Sequence, residues 1–314
     1  MTTTPTRWPE AGAAPGPAGL AALRTETANP RTTDLDAMST LEVLQAINAE
    51  DRTVAAAVQR VLPAVARAVD LVVAARQQGG RLVYVGAGTS GRLGLLDAVE
   101  CPPTFGTAPS EVVGLLAGGD GAFAVAVEGA EDDEDLAVAD LEALGVGPAD
   151  VVVGLAASGR TPYVLAALRH AGRVGAGSVS VACNPGSPVS ALADVAVEVD
   201  TGPEALTGST RLKAGTAQKM VCNMLSTAAM VRTGKVYKNL MVDVRPTNAK
   251  LVDRARRIVA GAAGVDEGRA DAALRAADGH AKTAVVMLLA GCDAPAARDR
   301  LAAHGGRVRE AVAG

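Results

Sequence analysis

The chain has 314 residues, and 30 Lys+Arg against 34 Asp+Glu leave a formal net charge of −4, with 49% of residues apolar. That length and apolar content exclude a chain disordered throughout and allow one large core with room for a small second unit. Aromatic residues make up only 2% and there is no basic excess, so neither the stacking surface nor the charge of a nucleic-acid binder is present, and no nucleic-acid partner is expected.

Mean hydropathy is +0.21, yet no apolar run approaches the ~18 residues of a spanning helix, so no membrane partner is expected. Residues 1–24, with Pro5, Pro9, Pro15 and Pro17, contain no stretch of signal-peptide type and read as a disordered tail. Cys101, Cys183, Cys222 and Cys292 are far apart, without a Cys-x-x-Cys pair or an adjacent His. Neither a disulfide framework nor a metal site is suggested, and a reducing, cytoplasmic setting is expected.

After the tail, Ser39 and Glu42 have capping-box spacing and predict a helix to about Ala49. Residues 51–78 are expected to continue as a long helix, where Val54, Val58, Val61, Leu62, Val65, Val69, Val72 and Val73 recur close to helical spacing until Gly79-Gly80. Short apolar strands then alternate with helices: strand 81–86, helix 91–99, strand 111–116, helix 134–144, strand 150–156, helix 162–172, strands 177–182 and 194–199, and helix 211–232. Residues 25–245, N-terminal helices included, therefore read as an α/β domain with a doubly wound parallel sheet covered on both faces. Residues 246–314 show no strand pattern and read as a small helical domain, with helices near 247–262, 266–277, 281–290 and 294–303. His170, His280 and His304 lie apart and read as surface or helix-end residues.

Three loops at strand-to-helix junctions carry hydroxyls and glycines. Gly86-Ala87-Gly88-Thr89-Ser90-Gly91 follows the first strand as a G-x-G-x-x-G. The acidic residue that would bind a dinucleotide ribose is missing from the end of the next strand, since Glu111 stands at its start. Backbone N–H groups with Thr89 and Ser90 at a helix start suit a compact phosphate ester instead. Ser158-Gly159-Arg160-Thr161-Pro162 and Thr207-Gly208-Ser209-Thr210-Arg211-Leu212-Lys213 repeat the chemistry. In a parallel sheet all three converge at the carboxyl ends of the strands, where such folds bind ligands. Plain N-capping by these hydroxyls is the alternative.

Without a Ser–His pairing or a metal cluster, acid–base work falls on carboxylates. Glu100 is expected at the end of its helix, just before Pro102, where the helix dipole opposes a negative charge. Glu131 lies in the acidic run Glu128–Asp135, from which composition alone selects no residue. Glu204 precedes the third loop and would either contact sugar hydroxyls or cap a turn.

The strings Val85–Gly94, Glu100–Gly106, Glu128–Asp132, Ala156–Tyr163 and Thr207–Lys219 resemble those of the N-acetylmuramic acid 6-phosphate etherase family, within the sugar isomerase (SIS) superfamily. The resemblance runs from about Thr25 to Gly306. It implies a flavodoxin-like three-layer sandwich and a cytoplasmic homodimer that needs no metal or organic cofactor. The implied reaction, in cell-wall recycling, is hydrolytic cleavage of a lactyl ether by elimination and then hydration. Carried over by position, Glu100 matches the proton donor to the departing lactate and Glu131 the second catalytic carboxylate. Gly88, Thr89, Ser90, Gly91, Ser158, Gly159, Arg160, Thr161, Glu204, Ser209, Thr210 and Lys213 are the expected contacts to a sugar 6-phosphate substrate. An aldose–ketose isomerase and a non-catalytic sugar-phosphate sensor are the competing readings on the same fold.

Overall fold

A computed structural model describes residues 23–244 and 249–314, together with Gly19. Most of the expected N-terminal tail, and the expected start of the first C-terminal helix at 247, fall outside the described residues.

Ser39 opens α1 (Thr40–Gln77) through the expected capping box: the Ser39 N–H donates to the Glu42 carboxylate at 2.8 Å, and the Glu42 N–H donates to Ser39 Oγ. The two stretches read from the sequence are one 38-residue helix. Glu50, between them, is buried inside it, because its carboxylate accepts from Lys213 Nζ at 2.7 Å and Arg31 Nη2 at 2.8 Å. A charge that is paired and hydrogen-bonded can sit on a buried helix face.

Five parallel strands form one sheet: β1 (Leu82–Gly86), β2 (Val112–Leu116), β3 (Val151–Leu155), β4 (Gly177–Ala182) and β5 (Val195–Glu198), in the order β2-β1-β3-β4-β5. Every residue of β1 and β3 is buried, as continuous apolar runs in a two-sided sheet should be. Leu82, Tyr84 and Val153 pack on one face against α1 and α5 (Lys213–Arg232). Val83, Val85 and Val152 pack on the other against α3 (Glu134–Leu144) and α4 (Pro162–Arg173), following the two-residue alternation of a strand. This is the expected doubly wound sandwich.

Helix α2 (Gly88–Phe105) is longer at both ends than the expected 91–99. The loop glycines already form its first turn, and Pro102 and Pro103 are carried in its last. Gly106 ends it, with φ of 64° and an N–H donated to the Pro102 carbonyl at 2.9 Å. Glu100 therefore lies inside the helix and not at its carboxyl terminus, so the dipole argument for its position does not hold.

Beyond residue 248 come α6 (Ala249–Ala263), α7 (Glu267–Ala276), α8 (Ala281–Ala290), α9 (Ala294–Ala303) and a further short helix, α10 (Val308–Ala313), that the sequence pattern did not reveal. Val259, Ala270, Ala284, Val285 and Ala297 form a separate apolar cluster centred on α8. Buried Asp243, which accepts from Lys282 at 2.7 Å and pairs with Lys235 at 3.2 Å, ties this unit to the segment after α5. Among the described residues no helix is long and apolar enough to cross a membrane.

Candidate active site

The strand order reverses between β1 and β3, so the loops following these two strands flank the point where open α/β sheets hold ligands. The β1 loop depends on a close backbone approach: a Cβ on Gly91 would stand 2.3 Å from the Gly86 carbonyl oxygen. In the β3 loop Gly159 adopts φ of +72°, and a Cβ there would meet Ser187 at 2.2 Å. These glycines shape the backbone in which the hydroxyls sit.

None of the hydroxyls in the three loops caps the helix that follows. Ala87, Thr161 and Leu212 are the N-cap residues of α2, α4 and α5, and none makes a side-chain capping bond. Ser90 Oγ instead donates across to Gln218 Oε1 of α5 at 2.8 Å, and Thr89 and the Thr210 carbonyl both border Gly215 in the first turn of α5, so the first and third loops flank the same helix start. Ser158 Oγ accepts from the Arg160 N–H at 3.2 Å. At these two loops the buried Nε of Arg160 and Nε2 of Gln218 are donors without a protein partner.

Two expected substrate contacts are withdrawn from any open surface. Glu204 is fully buried and accepts the N–H groups of Lys213 at 2.8 Å and Ala214 at 3.0 Å. Its carboxylate occupies the amino end of α5, where the helix dipole favours a negative charge. Burial pushes its pKa up, and the two N–H bonds with the Lys213 charge oppose that shift. Lys213, 1% exposed, directs its ammonium to Glu50. Both residues build the site's frame rather than face a ligand. Ser209 and Thr210 are half-buried in the loop ahead of this capped helix.

The two expected catalytic carboxylates line different cavities of the single chain. Glu131, in a short 3-10 turn (Ala130–Asp132), shares a cavity of about 180 Å³ with Gly88, Arg92 and Glu128. Arg92 shapes its wall by donating to the carbonyls of Ala122 and Phe123. Glu100 lies across α2 in a second cavity of about 330 Å³, with Asp97, Cys101 and Thr104 of α2 and Lys219, Asn223 and Ser226 of α5. Among the described residues no group of three or more His, Cys, Asp or Glu is gathered as metal ligands are.

The second cavity contains a polar network that sequence reasoning did not single out. Buried Asp97 accepts from Tyr84 Oη at 2.9 Å and Ser226 Oγ at 3.2 Å. With the Asn223 amide oriented to suit its neighbours, its nitrogen donates to Asp97 Oδ1 at 3.1 Å and its oxygen accepts from Lys219 Nζ at 2.7 Å. Burial raises the Asp97 pKa, while the Tyr84 and Ser226 bonds and the Lys219 charge pull it back. The available signal was the spacing of Lys219, Asn223 and Ser226, three polar residues on one stripe of a helix rich in Ala and Met.

Residues 64–171 match the N-terminal SIS domain of glucokinase regulatory protein, and residues 123–228 match the SIS domain. Proteins named N-acetylmuramic acid 6-phosphate etherase align over nearly the whole chain. The one from Mycolicibacterium smegmatis is 64% identical over 93% of this chain and 98% of its own length. That from Serratia proteamaculans is 59% identical over 93% and 99%, and that from Geobacillus sp. 58% over 93% and 99%. A solved phosphoheptose isomerase from Neisseria gonorrhoeae superposes with a TM-score of 0.48 at 18% identity, covering 61% of this chain and 98% of that one. On the strength of the full-length relatives, the chain belongs to the N-acetylmuramic acid 6-phosphate etherase family.

Proposed function

We propose that this enzyme cleaves the D-lactyl ether of N-acetylmuramic acid 6-phosphate with water, yielding N-acetylglucosamine 6-phosphate and D-lactate. A base removes the C2 proton of the ring-opened aldehyde, the C3–O bond breaks, and the departing lactate oxygen takes a proton from Glu100. Water then adds to C3 of the unsaturated aldehyde and a proton returns to C2, which balances the reaction as one water consumed per ether cleaved. Glu131 is assigned the second acid–base role. Each proton transfer contributes about 10²–10⁴-fold.

The observation that carries this reading is that Glu100 and Glu131 both border cavities adjoining α2, the helix whose first turn carries Gly88, Thr89 and Ser90. The phosphate is assigned to the β1 and β3 loops, whose backbone, hydroxyls and unpartnered Arg160 and Gln218 donors suit an anion. The third helix start is less suited, because Glu204 already fills it.

We further assign a cytoplasmic homodimer with shared sites. The Glu100 cavity continues, through Asn223 and Thr227, into an apolar face formed by Met220, Met224 and Val231 of α5. That face extends to Leu62 and Ala66 of α1. Leu62 and Val231 are 41% and 46% exposed, as suits a face covered by a second copy. A second copy seated there would close the Glu100 cavity and bring it a loop from across the interface.

Incubation of the purified protein with N-acetylmuramic acid 6-phosphate should release D-lactate and N-acetylglucosamine 6-phosphate in equal amounts. An isomerase would instead interconvert hexose phosphates and leave the ether intact. A protein that binds the sugar phosphate and turns over neither substrate would be a sensor.

A further inference from the structure

We propose that Lys219 binds the carboxylate of the substrate's lactyl group and so sets the preference for an acid-bearing ether. The proposal rests on the etherase reading and deepens it. The substrate carries two anions, and the hydroxyl loops account only for the phosphate. The lactyl carboxylate is separated from the ether oxygen by a single carbon, so it must lie beside whichever group protonates that oxygen. Glu100 has that role, and among the described residues that line its cavity Lys219 is the cation.

The ammonium is held for such a task. Tyr84 and Ser226 anchor Asp97, Asp97 fixes the Asn223 amide, and the amide oxygen accepts from Lys219 Nζ at 2.7 Å. This chain runs from the buried strand β1 to the cavity and gives one orientation to a side chain that is otherwise flexible. Among the described residues no carboxylate lies within ion-pair distance of Lys219; the Asn223 amide stands between it and Asp97. Two of the three ammonium protons remain for an incoming carboxylate, and Thr227 offers a hydroxyl in the adjoining wall.

The test compares lactate release from the natural substrate with release of lactamide from an analogue whose lactyl carboxylate is a primary amide. The wild-type protein should favour the acid by at least about tenfold in kcat/KM. Lys219→Met should lose that preference by slowing the acid while leaving the amide within about twofold, and Lys219→Arg should retain it. Lys219 is exposed, so its variants should keep the wild-type melting temperature. A wild-type protein that does not distinguish the two substrates, or a Lys219→Met variant that slows both equally or neither, would overturn the assignment and leave a solvated surface lysine. If the wild-type protein cleaves neither ether, the etherase reading itself falls and this role with it.

Discussion

Thr89 and Glu100 face the same side of α2 but are eleven residues apart, about 16 Å along the helix axis. The ether oxygen on C3 of a hexose 6-phosphate anchored at Thr89 lies six bonds from phosphorus, under about 9 Å at about 1.5 Å per bond and short of that axial separation. The proposed shared site therefore gives this ether the Glu100 of a second copy, with Glu131 from the chain whose Gly88 shares its cavity.

Complementation between two inactive variants follows from this separation. Glu100→Gln and Glu131→Gln should each lack activity alone, yet mixed dimers should regain it, because one site of each mixed pair combines an intact Glu131 with the partner's intact Glu100. Random mixing gives about a quarter of wild-type activity, since half the dimers are mixed and one site in two is restored. Coexpression with two affinity tags measures it; mixed dimers as inactive as their parents would place both carboxylates in one chain's site.

Ser90→Ala should chiefly raise KM, by about tenfold, with kcat little changed. Ser90 sits in the candidate phosphate loop, far from the bonds that break, and its hydroxyl is oriented by Gln218. A lost hydrogen bond to a charged group has about that effect. Steady-state kinetics would show it, and an unchanged KM would remove Ser90 from the phosphate site.

Gly91→Ala should destabilise the fold by about 1–3 kcal/mol, as overpacking does. The added methyl would meet the Gly86 carbonyl and Leu116, and the backbone oxygen cannot move without displacing β1. Chemical denaturation reads the loss; Gly147→Ala, where nothing lies within 4 Å and φ is not in the left-handed region, is the control for sterics.

Glu50→Gln should cost about 3–5 kcal/mol, because it strands the Lys213 ammonium in the interior. In the wild-type protein the Arg31 hydrogen bond, with Lys213 adding to it against burial, holds the Glu50 carboxyl at about 2, below its ordinary 4.5. A depressed folded value means that the stabilisation is complete above about pH 4.5 and disappears as the pH falls toward 2. Thermal melts across that range should show the gap between wild type and Glu50→Gln narrowing with acidity. A constant gap would contradict the ion-pair account.

The sheet was legible because its strands are short apolar runs, buried on both faces and punctuated by glycine. The phosphate-type loops were legible because their glycines and hydroxyls are contiguous in sequence. Other features were hidden by tertiary pairing. The burial of Glu50 in the first helix depends on Lys213, far along the chain, which neutralises it. Glu204 reads as a ligand contact until α5 turns its amino end onto the carboxylate. Pro102 reads as a stop, although the last turn of a helix can carry a proline when Gly106 closes it. The Asp97–Asn223–Lys219 chain joins two helices and has no signature in either segment alone.

The central claim is that Glu100 protonates the departing lactate, and D-lactate release by wild type and Glu100→Gln, measured side by side on N-acetylmuramic acid 6-phosphate, tests it most directly. The account requires stoichiometric lactate from the wild-type protein and a fall of at least about a hundredfold in the variant. Deuterium exchange at C2 should persist in that variant, because another group moves that proton. Release of lactate by Glu100→Gln at the wild-type rate would contradict the account.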